Sequence, residues 1–240
     1  MRRAVIRTTL TCAVVLLAGA ATASAQLVQS FQVHGGLFFP RGFDGRPADD
    51  VLVENLSVAE PLLFDIGDFR GGTIAAEWGV GVGRHLELAA GVGYYRRTVP
   101  SVYRNLVDIT GLEIEQDLRL RVVPISAVVR LLPFGDASSI QPYIGGGVSA
   151  LTFRYSEVGE FVDLNDFSTF PARYIATGTT PGGVFLAGVR FPIGGDIYGL
   201  TTEYRYQWGA GDTGGADAGF LQDKIDLSGG NLTFGFLMRF

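Results

Sequence analysis

The sequence predicts an all-β protein, an eight-stranded antiparallel up-and-down transmembrane β-barrel, and three observations carry that prediction. About eight segments alternate apolar with polar or small residues at period two, the strand period. The connections between them switch regularly between long polar stretches and tight turns, as in barrels whose loops differ in length on the two sides of a membrane. After Gln26 no apolar stretch is long enough for a membrane helix, yet the chain is 47% hydrophobic, holds 34 Gly and has Lys224 as its single lysine. Among chains that enter a membrane, such a composition favours strands over helices.

Ahead of the strands, Met1 to Ala25 has the zones of a secretory signal peptide. Arg2, Arg3 and Arg7 precede an apolar run from about Leu10 to Ala21, and Ala23-Ser24-Ala25 forms a small-residue cleavage site. The run is too short to cross a bilayer, which takes about 20 apolar residues. Residues 1–25 are therefore expected to be removed and residues 26–240 to form one barrel domain. Cys12, the sole cysteine, sits within the apolar zone and leaves with the signal. The mature chain is then expected to have no thiol or disulfide chemistry.

The first strand is expected from about Leu27 to Phe39, with Phe31, Val33, Leu37 and Phe39 opposite Gln32 and His34. The second, about Thr73 to Val82, sets Ile74, Ala76, Trp78, Val80 and Val82 against Glu77 and several glycines. In the third, about His85 to Tyr95, Leu86, Leu88, Ala90, Val92 and Tyr94 oppose Glu87, Gly91 and Gly93. The fourth, about Asp117 to Leu132, places Leu118, Leu120 and Val122 opposite Asp117, Arg119 and Arg121, and its far half is apolar on both sides.

The fifth, about Pro142 to Tyr155, ends with Leu151, Phe153 and Tyr155 against Thr152 and Arg154. The sixth, about Val184 to Phe191, sets Phe185, Ala187, Val189 and Phe191 against Gly188 and Arg190. The seventh has the clearest alternation: Tyr198, Leu200, Thr202, Tyr204, Tyr206 and Trp208 against Gly199, Thr201, Glu203, Arg205 and Gln207. The eighth runs from Asn231 to Phe240, with Leu232, Phe234, Phe236, Met238 and Phe240 on one face. In a membrane barrel the apolar face of each strand turns to lipid and the polar face to the lumen. Phe39, Trp78, Tyr94, Tyr155, Tyr206, Trp208 and Phe240 then suit the headgroup levels.

Long connections are expected at about 41–69, 96–116, 156–181 and 209–227. Tight turns are expected near Gly83-Arg84, Phe134-Gly135-Asp136 and Gly194-Gly195-Asp196. With the amino end inside, eight strands put all four long loops on the outer side. Those loops carry 18 acidic and 7 basic residues. A surface of that sign is unsuited to binding nucleic acid, which requires basic groups that release counterions. It suits solvated loops; divalent cations at groups such as Asp49, Asp50, Asp65 and Asp68 are the alternative, although no loop has a regular calcium-hand spacing.

The polar strand faces assign Glu77, Glu87, Arg119, Arg121, Arg154, Arg190, Glu203 and Arg205 to the lumen. An eight-stranded ring has an interior just wide enough for side chains. Charges there must pair, so these eight are expected to form a plug, with a conduction path as the alternative. Neighbouring glycines, among them Gly91 and Gly188, leave room for long side chains. Enzymatic barrels need a histidine near a nucleophile or acid. Only His34 and His85 are available, and neither has the local arrangement for lipid modification, so no catalytic residue, cofactor or metal site is assigned. A conduit for small hydrophobic solutes is a further alternative, drawing on Val123, Ile125, Ala127, Val129, Ile144 and Val148 as inward groups and on Pro124 as a break in the hydrogen-bond ladder.

The terminal strand Asn231–Phe240, and the run Leu132-Pro133-Phe134-Gly135 followed by Pro142-Tyr143-Ile144-Gly145-Gly146-Gly147, resemble the small eight-stranded bacterial outer-membrane β-barrels. The membrane domain of outer-membrane protein A is the type of that family. The resemblance covers essentially the whole mature chain and implies a cell outer-membrane location in a Gram-negative-type bacterium. It also implies recognition of Leu232, Phe234, Phe236, Met238 and Phe240 by the barrel-insertion machinery, with periplasmic chaperones, contact with outer-membrane lipid and lipopolysaccharide, and a monomer. No peptidoglycan-binding domain follows the barrel, so tethering to the wall by that route is not expected.

Overall fold

The computed structural model describes residues 27–163, 166, 168–193 and 197–240. The expected signal peptide and the turn Gly194-Gly195-Asp196 lie outside the described residues. Eight long strands dominate: β1 (Gln29–Pro40), β2 (Gly71–Val82), β3 (Leu86–Val107), β4 (Glu113–Leu131), β5 (Gln141–Val162), β6 (Thr169–Ile193), β7 (Tyr198–Trp208) and β8 (Gly229–Arg239). Each pairs antiparallel with the next, and β8 pairs with β1, so the sheet closes on itself. Within the ring, closure leaves no edge for other chains to pair with.

The closing seam runs from Ser30↔Arg239 to Pro40↔Gly229 without a slip. Beyond it, Gln29 and Phe240 exchange backbone hydrogen bonds at 3.0 Å in both directions. The Phe240 ring meets Trp78 of β2 edge-on, with centroids 5.7 Å apart.

One face of each strand is exposed and apolar over about ten residues, the length that crosses a bilayer at a tilt of about 45°. It includes Phe31, Val33 and Leu37 of β1, Ile74 and Trp78 of β2, Leu86 to Tyr94 of β3, Leu200 and Tyr204 of β7, and Leu232, Phe234, Phe236 and Met238 of β8. Large apolar side chains left exposed in a continuous belt mark a lipid-facing surface.

Two of the expected long loops are largely strand. β3 to β6 continue well past the belt, so 96–116 narrows to a turn at Asp108–Leu112 and most of 156–181 is a β5–β6 ladder reaching Val162↔Thr169. Their outer residues alternate too, but weakly, because neither face there meets lipid. The other two loops fold over the barrel mouth. The first holds helix α1 (Val51–Ser57) and two 3-10 turns, Phe43–Gly45 and Ile66–Phe69. The last holds a small hairpin, Ala210–Asp212 with Lys224–Asp226.

Asp50 starts α1 by accepting from the backbone N–H groups of Leu52 (2.8 Å) and Val53 (3.4 Å), which satisfies donors a helix start leaves orphaned. Its second oxygen accepts from Arg46 Nη2 at 2.9 Å and from Asp226 N at 2.5 Å, tying the first loop to the last. Val51 and Leu52 are thereby pressed into an apolar core with Phe38, Phe69, Tyr95, Leu118, Leu120, Val122, Leu151, Phe153, Tyr155 and Phe220. This core occupies the long-loop half of the lumen.

Candidate functional site

The short-turn half of the lumen is polar, and its centre is Arg130. This side chain, fully buried on β4, reaches three carboxylates: Glu87 Oε1 at 2.9 Å, Glu203 Oε2 at 3.2 Å, and Glu77. Arg190 on β6 meets Glu87 with both terminal nitrogens, and Arg205 on β7 bridges Glu77 and Glu203, the latter at 2.8 Å. Three guanidiniums thus face three carboxylates. The Tyr143 ring lies between Arg130 and Arg190, at 5.3 and 4.9 Å from their carbon centres, while its hydroxyl donates to Glu203 at 2.9 Å. Charge balance, bidentate geometry and ring stacking are what permit charges to stay desolvated.

Glycines make the space. A Cβ on Gly91 would sit 2.4 Å from Glu77 Cγ, and one on Gly188 would sit 2.5 Å from the Tyr143 hydroxyl. The volume beside the glycines is therefore filled by carboxylates and a tyrosine as well as by arginines.

Of the eight residues read as lumenal from the sequence, the structure brings Glu77, Glu87, Arg190, Glu203 and Arg205 together. It corrects the other three: Arg119, Arg121 and Arg154 point outward. Arg119 donates to Thr98 Oγ1 at 3.0 Å and lies 3.9 Å from Asp117. The reason is a change of environment along β4 and β5. Within the belt the outside is oily and the inside polar. Beyond it the outside is water and the inside is the apolar core, so Leu118, Leu120, Val122, Leu151, Phe153 and Tyr155 turn inward and the arginines outward.

Conversely, Ile125, Val129, Ile144 and Val148, considered as inward groups, are exposed on the belt. Arg130 and Tyr143 escaped the sequence reading. The signal for Arg130 was present: it is the one charged residue in the apolar run Val122–Leu132.

Between the charged layer and the apolar core lies a small cavity of about 40 Å³, bordered by His34, Phe38, Gly93, Pro124, Ser126 and Val184 among others. Beside it the β3–β4 ladder is interrupted: Gly93 and Tyr94 have no pairing with Pro124 and Val123, and pairing resumes at Tyr95↔Val122. Proline contributes no N–H to a ladder.

His34 faces the lumen, 3.5 Å from Thr201 Oγ1 and 3.9 Å from Glu77, and His85 Nδ1 lies 3.0 Å from the Leu132 carbonyl oxygen. The loop carboxylates weighed as cation ligands have structural partners. Asp49 pairs with Lys224 at 2.8 Å, Asp50 caps α1, and Asp65 and Asp68 form a reciprocal capping box. Among the described residues no group of three or more His, Cys, Asp or Glu is placed to hold a metal ion.

No protein-family model matches this chain, and no curated protein matches it. Solved structures do. Neisserial surface protein A is 16% identical over 89% of this chain and 96% of its own, with a TM-score of 0.44. Outer membrane protein OprG of Pseudomonas aeruginosa is 13% identical over 88% and 95%, with a TM-score of 0.49. Ail, the attachment invasion locus protein of Yersinia pestis, solved with a heparin analogue, is 8% identical over 89% and 99%, with a TM-score of 0.42. The eight-stranded ring in this chain is established by its own closed register.

Proposed function

We propose that this chain is an integral outer-membrane barrel with a sealed lumen, acting in envelope structure or as a scaffold that displays its outer loops. The observation that carries this reading is the double seal: a balanced charge layer in one half of the lumen and an apolar core under α1 in the other. An ion crossing the barrel would have to pass both layers. In this reading the outward face of β8, Leu232, Phe234, Phe236, Met238 and Phe240, is what the insertion machinery recognises. The barrel works as a monomer without cofactor, metal or catalytic residue.

Single-channel recording on the refolded, signal-free chain tests it, with heat-modifiable gel mobility reporting folding. A folded, silent barrel supports the sealed reading. Steady ion-selective openings that change in Glu203→Ala would replace it with a pore whose filter is the charge layer.

A second reading has one specific observation behind it. The ladder break at Pro124 adjoins the lumenal cavity, which suits lateral passage of a small hydrophobic solute between lumen and bilayer. Faster uptake of an apolar dye into vesicles holding the barrel, slowed in Pro124→Val, would favour it over the sealed scaffold.

A further inference from the structure

The three arginines that the structure turns outward form, with a fourth residue, a pattern that the lumen does not explain. Arg96 on β3 is registered directly opposite Arg121 on β4, and Arg121 directly opposite Arg154 on β5. Arg119 stands one step away from this row. Arg96, Arg121 and Arg154 thus lie side by side across three adjacent strands, on the outer face. Side chains directly opposite in an antiparallel pair have Cβ atoms about 5 Å apart, and like charges there are destabilising. Yet among the described residues the side chains of these three make no hydrogen bond or ion pair.

The height of the row is equally specific. On β3 the outward residues Leu86, Leu88, Ala90, Val92 and Tyr94 are apolar and the next is Arg96. On β4, Leu131, Val129, Ala127, Ile125 and Val123 lead to Arg121, and on β5 Thr152 precedes Arg154. The row lies where the apolar belt ends on the long-loop side, at the level of the lipid headgroups. An uncompensated cationic row there matches an anionic headgroup in sign and position. Guanidinium is the group best suited to phosphate, through paired N–H donors.

We infer that Arg96, Arg121 and Arg154 form an external binding site for the phosphate groups of an outer-leaflet phosphoglycolipid of the lipopolysaccharide type. The inference rests on the outer-membrane reading above and names a lipid partner for that barrel. Bound phosphate would cancel the repulsion within the row and fasten β3, β4 and β5 to the surrounding lipid.

The test refolds the mature chain into phosphatidylcholine vesicles with and without bis-phosphorylated lipid A. A third sample has phosphatidylcholine with millimolar inorganic phosphate. Lipid A retained per barrel after detergent extraction is measured, together with the temperature at which the heat-modifiable gel shift occurs. The parent is expected to retain lipid A and to melt higher in its presence, since a ligand bound only to the folded state stabilises it. The combined variant Arg96→Gln, Arg121→Gln, Arg154→Gln is expected to lose retention by about tenfold or more and to lose the lipid-dependent shift, as charge-assisted phosphate contacts are among the stronger ones. In phosphatidylcholine alone it should melt no lower than the parent, because a repulsive row has been neutralised. Arg84→Gln, at the opposite end beside Asp136, should behave as the parent.

Equal retention by the parent and the combined variant would overturn the site. So would an equal loss in Arg84→Gln, which would indicate a general charge effect, or an equal shift from inorganic phosphate, which would remove the lipid from the proposal. A parent that folds in every bilayer without preference for lipid A defeats this inference alone. A parent that folds in none defeats the membrane reading as well.

Discussion

Arg190 and Glu87 meet fork to fork inside the barrel, Nη1 to Oε2 at 2.8 Å and Nη2 to Oε1 at 2.6 Å. The pair joins β6 to β3 across the lumen. It belongs to a six-residue network, because Glu87 also accepts from Arg130, which meets Glu77 and Glu203, and these two in turn meet Arg205. Removing Glu87 therefore strands one buried guanidinium outright and weakens a second.

Glu87→Leu is expected to destabilise the barrel by about 3–5 kcal/mol, the usual cost of leaving a buried charge unpaired. Glu87→Leu with Arg190→Leu should recover most of that loss, since two carboxylates then face two guanidiniums. Urea unfolding in phospholipid vesicles, followed by tryptophan fluorescence, measures both. A double variant as unstable as the single one would show that the layer is not organised by charge balance.

The belt makes a second prediction. Leu200→Arg and Phe234→Arg place a charge on exposed, lipid-facing positions, and each should cost about 2–4 kcal/mol near the middle of the bilayer. Ile109→Arg, at a turn tip 98% exposed, should change stability by less than about 0.5 kcal/mol. Unfolding free energies that do not separate these sites would contradict the outward assignment.

Asp50 supports the outer seal. Asp50→Ala removes a helix cap, worth about 0.5–2 kcal/mol, and deprives the buried Arg46 of its carboxylate. The effect should stay in the first and last loops, which Asp50 ties together. Endoproteinase Glu-C is expected to cut after Glu54, within α1, in the variant and to spare that bond in the parent, while both keep the gel mobility of a folded barrel.

Glu157 gives the seal a pH dependence. It lies beyond the belt on β5, and burial raises its pKa above the ordinary 4.5, against the donations from Tyr155 and Asn55. Asn55 Nδ2 and the Tyr155 hydroxyl both donate to Oε1, at 2.7 and 2.8 Å, so α1 is tied to this carboxyl. A carboxyl with a raised folded pKa binds more protons folded than unfolded. Its stabilising contribution is therefore complete below about 4.5 and falls as pH rises through the folded value. Amide exchange in α1 should be slower at pH 5 than at pH 7.5 after correction for intrinsic rates, and Glu157→Gln should flatten the difference. A parent profile as flat as that of the variant would remove Glu157 from the attachment.

The sequence made most of this fold legible because lipid imposes one rule on every strand within the belt. β1, β2, β3, β7 and β8 alternate cleanly there, and Glu77, Glu87, Glu203 and Arg205 follow from that alternation. The rule stops where lipid stops. At Leu118–Arg119 and Phe153–Arg154 a strand between water and an apolar core has the same alternation with the opposite facing, and sequence pattern alone does not mark the crossing. Counting from the short-turn end would have carried the facing through: Arg130, Val128, Ser126, Val122, Leu120 and Leu118 share one unbroken parity. The folding of α1 over the mouth was hidden for another reason, since its anchors, Asp226 and Glu157, lie more than a hundred residues away in the chain.

The seam between β1 and β8 gives the barrel a history. It unites Ser30 with Arg239, nearly the full described length apart, so its loop-closure entropy is the largest of any pairing in the ring. The hairpins from β1–β2 through β7–β8 can form locally, whereas the β1–β8 pairing must wait for both ends of the chain. Closure is thus the last and most cooperative event of assembly. In reverse it is the gate to unfolding: with no free edge to peel, denaturation must first part Gln29 from Phe240 and Trp78 from the ring that covers it. Such a molecule is expected to persist for a time set by the opening of one seam rather than by the sum of its contacts.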